Sequence, residues 1–450
     1  MCIAFVFLLS VNSIQSADTN ITNDALSVDG EQHNASASAV VKDVKKATPA
    51  KTKTSNVKTF SDLMKEIKKA KPNSVLILNG EYKYNPKTDA KYKNGIVISK
   101  NIKIIGINGA TINGNGKMRC LILTSGIKVS ISKVTFKNGL SDNENGGGIF
   151  VNRNSQLILK HCTFKNNKAY KANGGAICTA MNCKLEIHNC EFYKNKAIRA
   201  SDKKWPKDQR GMGGAIHVTI GSSLKVYNSV FKKNSGYLSI ILVLSQRDNE
   251  IKYSNALIKN CLFEKNTANI NGVFYLDEYG SGKFIESTFK KNVAKDKGGT
   301  LVLDASKKAL VKKCHFEDNV GEYGGAVDLF KFNKKMSHVS IVNCVFKENT
   351  ARECGGAIFS DYGYLTIKNC KFYQNKASKS GGALEVRSGK LRLMKPVFNS
   401  NSAKNGGALL IKNKKSIYSK NAKYIHNKAK NGKNILAIYA NSVSKLKIIH

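Results

Sequence analysis

The chain has 450 residues, 41% of them hydrophobic and only 5 of them proline, and its 74 lysines and arginines against 31 acids give a net charge of +43. That apolar fraction excludes a wholly disordered polypeptide, and the lack of any run near twenty apolar residues excludes a membrane-spanning mature chain. The charge suits polyanions, but only 8 of the basic residues are arginine, the side chain that forks onto phosphate, so no specific nucleic-acid partner is expected.

Residues 3–9, an Ile-Ala-Phe-Val-Phe-Leu-Leu run with small residues at Ser16-Ala17 after it, predict a signal peptide over residues 1–17, although no basic residue precedes the run. Residues 18–58 are rich in Ser, Thr, Ala, Asn and Lys without apolar periodicity and read as a flexible linker; the two glycosylation acceptors, Asn20 and Asn34, fall here. Residues 59–135 read as an N-terminal cap and first coils. Thr59 and Asp62 offer a capping box to a helix bearing Phe60, Leu63, Met64 and Ile67, which Pro72 ends. Strands are expected at Val75–Leu78, Ile96–Ile98, Ile102–Ile105 and Leu121–Leu123, with the helix covering the open apolar end.

From residue 136 to 450 one sentence repeats. Phenylalanine stands at 164, 192, 231, 263, 289, 316, 346, 372 and 398, each with asparagine three positions later: Asn167, Asn195, Asn234, Asn266, Asn292, Asn319, Asn349, Asn375 and Asn401. Weaker copies are Phe136-Lys137-Asn138 and Tyr424 with Asn427. Spacings of 26 to 39 residues mark a stacked solenoid, and the period-2 alternation between glycine pairs excludes helical repeats. The expectation is an all-β, single-stranded right-handed parallel β-helix, with three strands and three corners per coil. About a dozen coils at ~4.8 Å each make a rod roughly 55 to 60 Å long.

Six cysteines (162, 190, 261, 314, 344 and 370) precede their Phe by two residues, which assigns them to the interior as small hydrophobes with free thiols rather than bridges. Asparagines 189, 228, 260, 343 and 369 and the glycine pairs mark corners. The last residues, Leu446–His450, read as a further strand.

Two outward features are candidates for chemistry. Counted from the glycine pair, Asp277, Asp304 and Asp361 fall at one position and Asp328 and Glu385 two residues earlier, an acidic or cation-binding patch in which Asp277 and Asp304 are neighbours in adjacent coils. Gly213 follows Asn195 by eighteen positions against five to seven elsewhere, and the extra loop carries Lys203, Lys204, Trp205, Lys207 and Arg210, a basic aromatic tip suited to a glycan or protein contact.

The Gly-Gly-Ala-Ile segments at 174–177, 213–216 and 355–358, with their variants at 324–327, 381–384 and 406–409 and the Phe-x-x-Asn tetrads, resemble the repeats of the polymorphic outer membrane proteins, the chlamydial autotransported adhesins. The lysine-rich, cysteine-bearing form is still more similar to the adhesin-like β-helix proteins of methanogenic archaea. The resemblance spans residues 136 to 427, and 60 to 135 resemble the capped first coils of pectin-lyase-like proteins. It implies a secreted or surface-displayed, non-enzymatic adhesin whose partners are cell-surface glycans or proteins, acidic polysaccharide included. The motif residues are architectural, so no catalytic residue, metal or cofactor is carried over. No terminal β-barrel follows the repeats. The alternative is a carbohydrate-active β-helix acting on or binding acidic polysaccharide.

Overall fold

The computed structural model describes residues 57–92, 94–199, 211–247, 251–277, 279–304, 308–329, 337–412 and 417–437. The expected signal peptide, nearly all of the linker, the basic loop and the terminal strand at 446–450 lie outside the described residues.

Residues 58–437 wind as a right-handed parallel β-solenoid of about 12 turns. From Leu121 onward each coil departs from the expected three strands by having four in the three main sheets, as the coil from Ile177 illustrates. Ile177–Thr179 follows the glycine pair and belongs to sheet I. Lys184–His188 and Glu191–Tyr193 are two segments of sheet II, and Lys196–Ile198 belongs to sheet III. The break inside sheet II is the corner at Asn189, whose φ is +52°. Pairing is in register from coil to coil, so Phe164 faces Phe192 and Leu157 faces Leu185. A period-2 strand stacked this way buries one face of every coil, and the core runs unbroken along the axis.

Three columns explain the repeat. The Phe rings stack face to face from Phe136 to Phe398, with centroids 4.6 to 5.0 Å apart. The asparagines behind them form a buried amide ladder. Asn292 Nδ2 donates to Phe263 O at 2.8 Å and to Asn319 Oδ1 at 3.0 Å, and its own Oδ1 accepts from Asn266 N and Nδ2. The same pattern runs from Asn167 to Asn427 and satisfies corner groups that parallel pairing leaves over. The left-handed residue at this corner is the one before the asparagine, such as Lys194 at φ +53°.

The cysteines form the third column, buried in the core with free thiols as expected, and to that packing they add a polar role. All ten described cysteines are free and buried, and Cys190, Cys344 and Cys370 of the column accept hydrogen bonds from the amide of the preceding coil. Cys314 N donates to Cys344 Sγ at 3.4 Å and Cys344 N to Cys370 Sγ at 3.5 Å. Where serine occupies the column it does the same, Cys190 N to Ser229 Oγ at 3.0 Å and Cys261 N to Ser287 Oγ at 3.1 Å. A second column, through Cys183, Ser222 and Ser254, serves the corner between sheets I and II. That is the corner missing from the sequence reading.

At the glycine pairs, Gly174 has φ +71°, and a Cβ on Gly175 would lie 2.2 Å from the carbonyl oxygen of Gly214 in the next coil. Only glycine lets coils approach so closely. At the N-terminal end, helix α1, Phe60–Lys69, has its Thr59/Asp62 capping box formed and buries Phe60, Leu63 and Ile67 against the first coil. Asp89 holds the Phe60 and Ser61 amides, tying α1 to the chain below it.

Candidate functional site

Along sheet I the middle residue of each three-residue strand points away from the core. The series runs Phe150, Cys178, His217, Leu242, Tyr275, Val302, Asp328, Phe359, Glu385, Leu410. From Cys178 onward all but Tyr275 are nonetheless buried. The reason is the corner at the glycine pair, where the end of sheet III leans over sheet I. Tyr323, closing the strand Val320–Tyr323 of sheet III, brings its ring to 5.0 Å from that of Phe359. Ser380, one residue before Gly381, donates to Glu385. The outer face of sheet I is therefore a groove.

The four aspartates named from the sequence lie in this groove. Asp277 and Asp304 directly follow paired strands of adjacent coils, and Asp328 faces Val302 below and Phe359 above. Asp304 and Asp328 are each 1% exposed. The Tyr275 hydroxyl donates to Asp304 Oδ2 at 2.5 Å and lies 3.5 Å from Asp277 Oδ1. Asp328 Oδ1 has no hydrogen-bond partner among the described residues. Burial first, then the charges of Asp304 and Asp361, push the Asp328 carboxyl well above the usual carboxylate range, and the Arg387 guanidinium opposes them. Among the described residues no group of three or more His, Cys, Asp or Glu side chains could hold a metal ion.

Sequence reasoning placed Glu385 beside these acids but missed its partners. Glu385 is fully buried, receiving Arg387 Nε at 2.9 Å and facing Lys412 Nζ at 3.4 Å. The Arg387 guanidinium lies over the rings of Phe359, at 4.5 Å, and Tyr323, at 5.6 Å. The signal was Arg387 and Lys412 in the next two coils at the position Asp361 occupies. Nearer the N-terminus, Cys178 Sγ and His217 Nδ1 are 3.4 Å apart, and burial pulls the His217 imidazole down to about 4, so it is neutral at pH 7.

Lys203, Lys204, Trp205, Lys207 and Arg210 lie outside the described residues. The segment is entered at Arg199, whose Nη1 donates to the Tyr237 hydroxyl at 2.8 Å, and left at Gly211, bonded to Ala172 O. No helix among the described residues is long and apolar enough to cross a membrane.

In-register coils with amide and aromatic columns inside define the class: a parallel β-helix. The sequence profile of the right-handed β-helix region family matches residues 67–306 and 250–391, and the chain belongs to that family. A comparison with curated protein sequences finds no match. Among solved structures, the chain is similar to PfbA, a surface adhesin of Streptococcus pneumoniae, at 12% identity and a TM-score of 0.43, covering 84% of this chain and 93% of that one. It is also similar to a mannuronic acid specific polysaccharide family 6 lyase from human gut microbiota, at 10% identity and a TM-score of 0.32, covering 76% of this chain and 85% of that one.

Proposed function

We propose that this chain is a secreted or cell-surface attachment protein without enzymatic activity, binding glycans or proteins of host or neighbouring cells through the outer faces of its coils and the loop at 200–210. The observation that carries this reading is where the repeated residues are spent. The Phe, Asn, Cys and Gly of the repeats are consumed in the core and corners, while the first outward column of sheet II runs Lys128, Gln156, Lys184, Ser223, Asn255, Ser281, Lys308 from coil to coil. A continuous polar, cationic face on a rigid support suits many weak contacts to a surface. The experiment is cell and glycan-array binding by the purified protein, beside a variant lacking 200–210. Retention by the parent and weaker retention by the variant are expected; a parent that binds no surface would refute the proposal.

A second reading, carbohydrate-active chemistry on acidic polysaccharide, draws on the carboxylates of Asp304 and Asp328 sharing one groove with Tyr275 and Arg387. Cleavage of a uronate polymer by the parent, lost in the Asp277→Ala, Asp304→Ala double variant, would establish it.

A further inference from the structure

One column of surface charge differs from its surroundings. The left-handed corner before the amide ladder holds Lys194, Lys233, Lys265 and Lys291 in four successive coils, with φ of 53°, 55°, 54° and 54°. Their amides bond to Lys232 O, Glu264 O, Lys290 O and Glu317 O of the following coils, so the four stack in register at a rise of about 4.8 Å. All four are exposed. The preceding coils have Asn138 and Asn166 at this corner, and the following ones Asp318 and Glu348.

Two physical preferences are overridden here. Asparagine adopts left-handed backbone more readily than lysine, and like charges directly opposite one another on neighbouring strands are destabilising. One residue earlier the same coils show the favourable solution, because Lys232, Glu264, Lys290, Glu317 and Lys347 alternate in sign. Those residues pair at 2.6 Å (Lys232–Glu264), 2.8 Å (Lys290–Glu317) and 3.9 Å (Lys347–Glu317). In the corner column only Lys291 has an acidic partner among the described residues, Asp318 at 4.0 Å.

We infer that the Lys194–Lys233–Lys265–Lys291 column is a track for a linear acidic polysaccharide carrying one carboxylate per sugar ring, laid along the solenoid axis. This rests on the attachment reading and names its ligand. A polyuronate presents single, evenly spaced negative charges, which point-like ammonium groups match. Phosphodiester strands favour arginine forks and stacking platforms; this column contains no arginine, and among the described residues the one ring beneath its ammonium groups is Tyr193, under Lys194.

The test uses the full chain, a track variant with Lys194, Lys233, Lys265 and Lys291 all changed to Asn, and a control with the exposed Lys68, Lys69, Lys87 and Lys117 near the N-terminal cap changed to Asn. Both variants lose four charges, and the track variant restores the residue type of Asn138 and Asn166, so it is expected to fold. With polygalacturonate as probe, the track variant should bind at least ~10-fold more weakly with a shallower salt dependence, and the control should stay within about threefold of the parent. Equal loss in both variants, or no loss in either, would overturn the inference. So would tighter, track-dependent binding of a single-stranded oligothymidylate. A parent that attaches to cells but ignores polygalacturonate overturns the ligand assignment alone; a parent that does neither overturns the attachment reading as well.

Discussion

The amide ladder inside the coil and the acidic groove outside sheet I are buried alike, Asn292 at 0% and Asp328 at 1% exposure, yet their polar atoms fare differently. Each ladder asparagine has both amide protons and its oxygen engaged by the coils before and after it. Asp328 keeps one oxygen without a hydrogen bond among the described residues and faces two further carboxyl groups. A satisfied buried network rigidifies a core, whereas an incompletely satisfied one holds energy that protons or ligands can release. The ladder is architecture, and the groove is where this molecule tolerates disadvantage.

The contrast is broken most directly by Asn292→Ala. It removes two donated bonds and leaves Asn266 N and Nδ2 without their acceptor, so a loss of about 3 to 5 kcal/mol is expected by denaturant titration. Alanine tolerated within ~1 kcal/mol would mean that the ladder is dispensable.

Next in size is the acid dependence of His217. Its folded pKa of about 4 lies below the ordinary 6.5, so the stability it confers is full above 6.5 and lost as pH falls towards 4. The loss amounts to about 3 kcal/mol at most. His217→Leu, which copies Leu242 in the next coil, should abolish that part of the thermal-melt pH profile.

Asp328 has the opposite sign. Its folded pKa is raised above the ordinary 3.8, so its contribution is intact below that value and lost as pH rises through the folded pKa. Asp328→Asn should therefore melt higher than the parent near neutral pH, by a margin that shrinks towards pH ~4. A lower melting temperature at pH 7 would show that the carboxylate is compensated in the folded protein.

The smallest effect separates polar from apolar roles for the cysteine column. Cys344→Ser should stay within about 1 kcal/mol, while Cys344→Ala strands the Cys314 amide and should lose roughly 1 to 3 kcal/mol. The reverse order would restore the thiols to simple hydrophobes.

Much of the solenoid was legible because in-register stacking turns a sequence period into a contact map. Phe289 meets Phe316 only because both stand three residues before a ladder asparagine. The corner at Cys183, Ser222 and Ser254 escaped notice because its column mixes cysteine and serine, two residues that differ in hydropathy but accept the same bond. Counting from the glycine pair put Asp277 beside Asp304, but nothing in that count reveals that Asp304 and Asp328 are covered. Their covering comes from sheet III leaning across the groove. The lysine column was written in the sequence as four Lys-Asn pairs, at 194–195, 233–234, 265–266 and 291–292, but its like-charge stacking is apparent only beside the alternating column next to it.

Sequence alone therefore determined the coil, its inward columns and its glycine corners, since each of those residues meets its own equivalent one turn away. Tertiary structure decided what the outward residues experience. The angle between sheets I and III buries some of them, and the charge in the neighbouring column neutralises or isolates others, and neither quantity repeats along the chain.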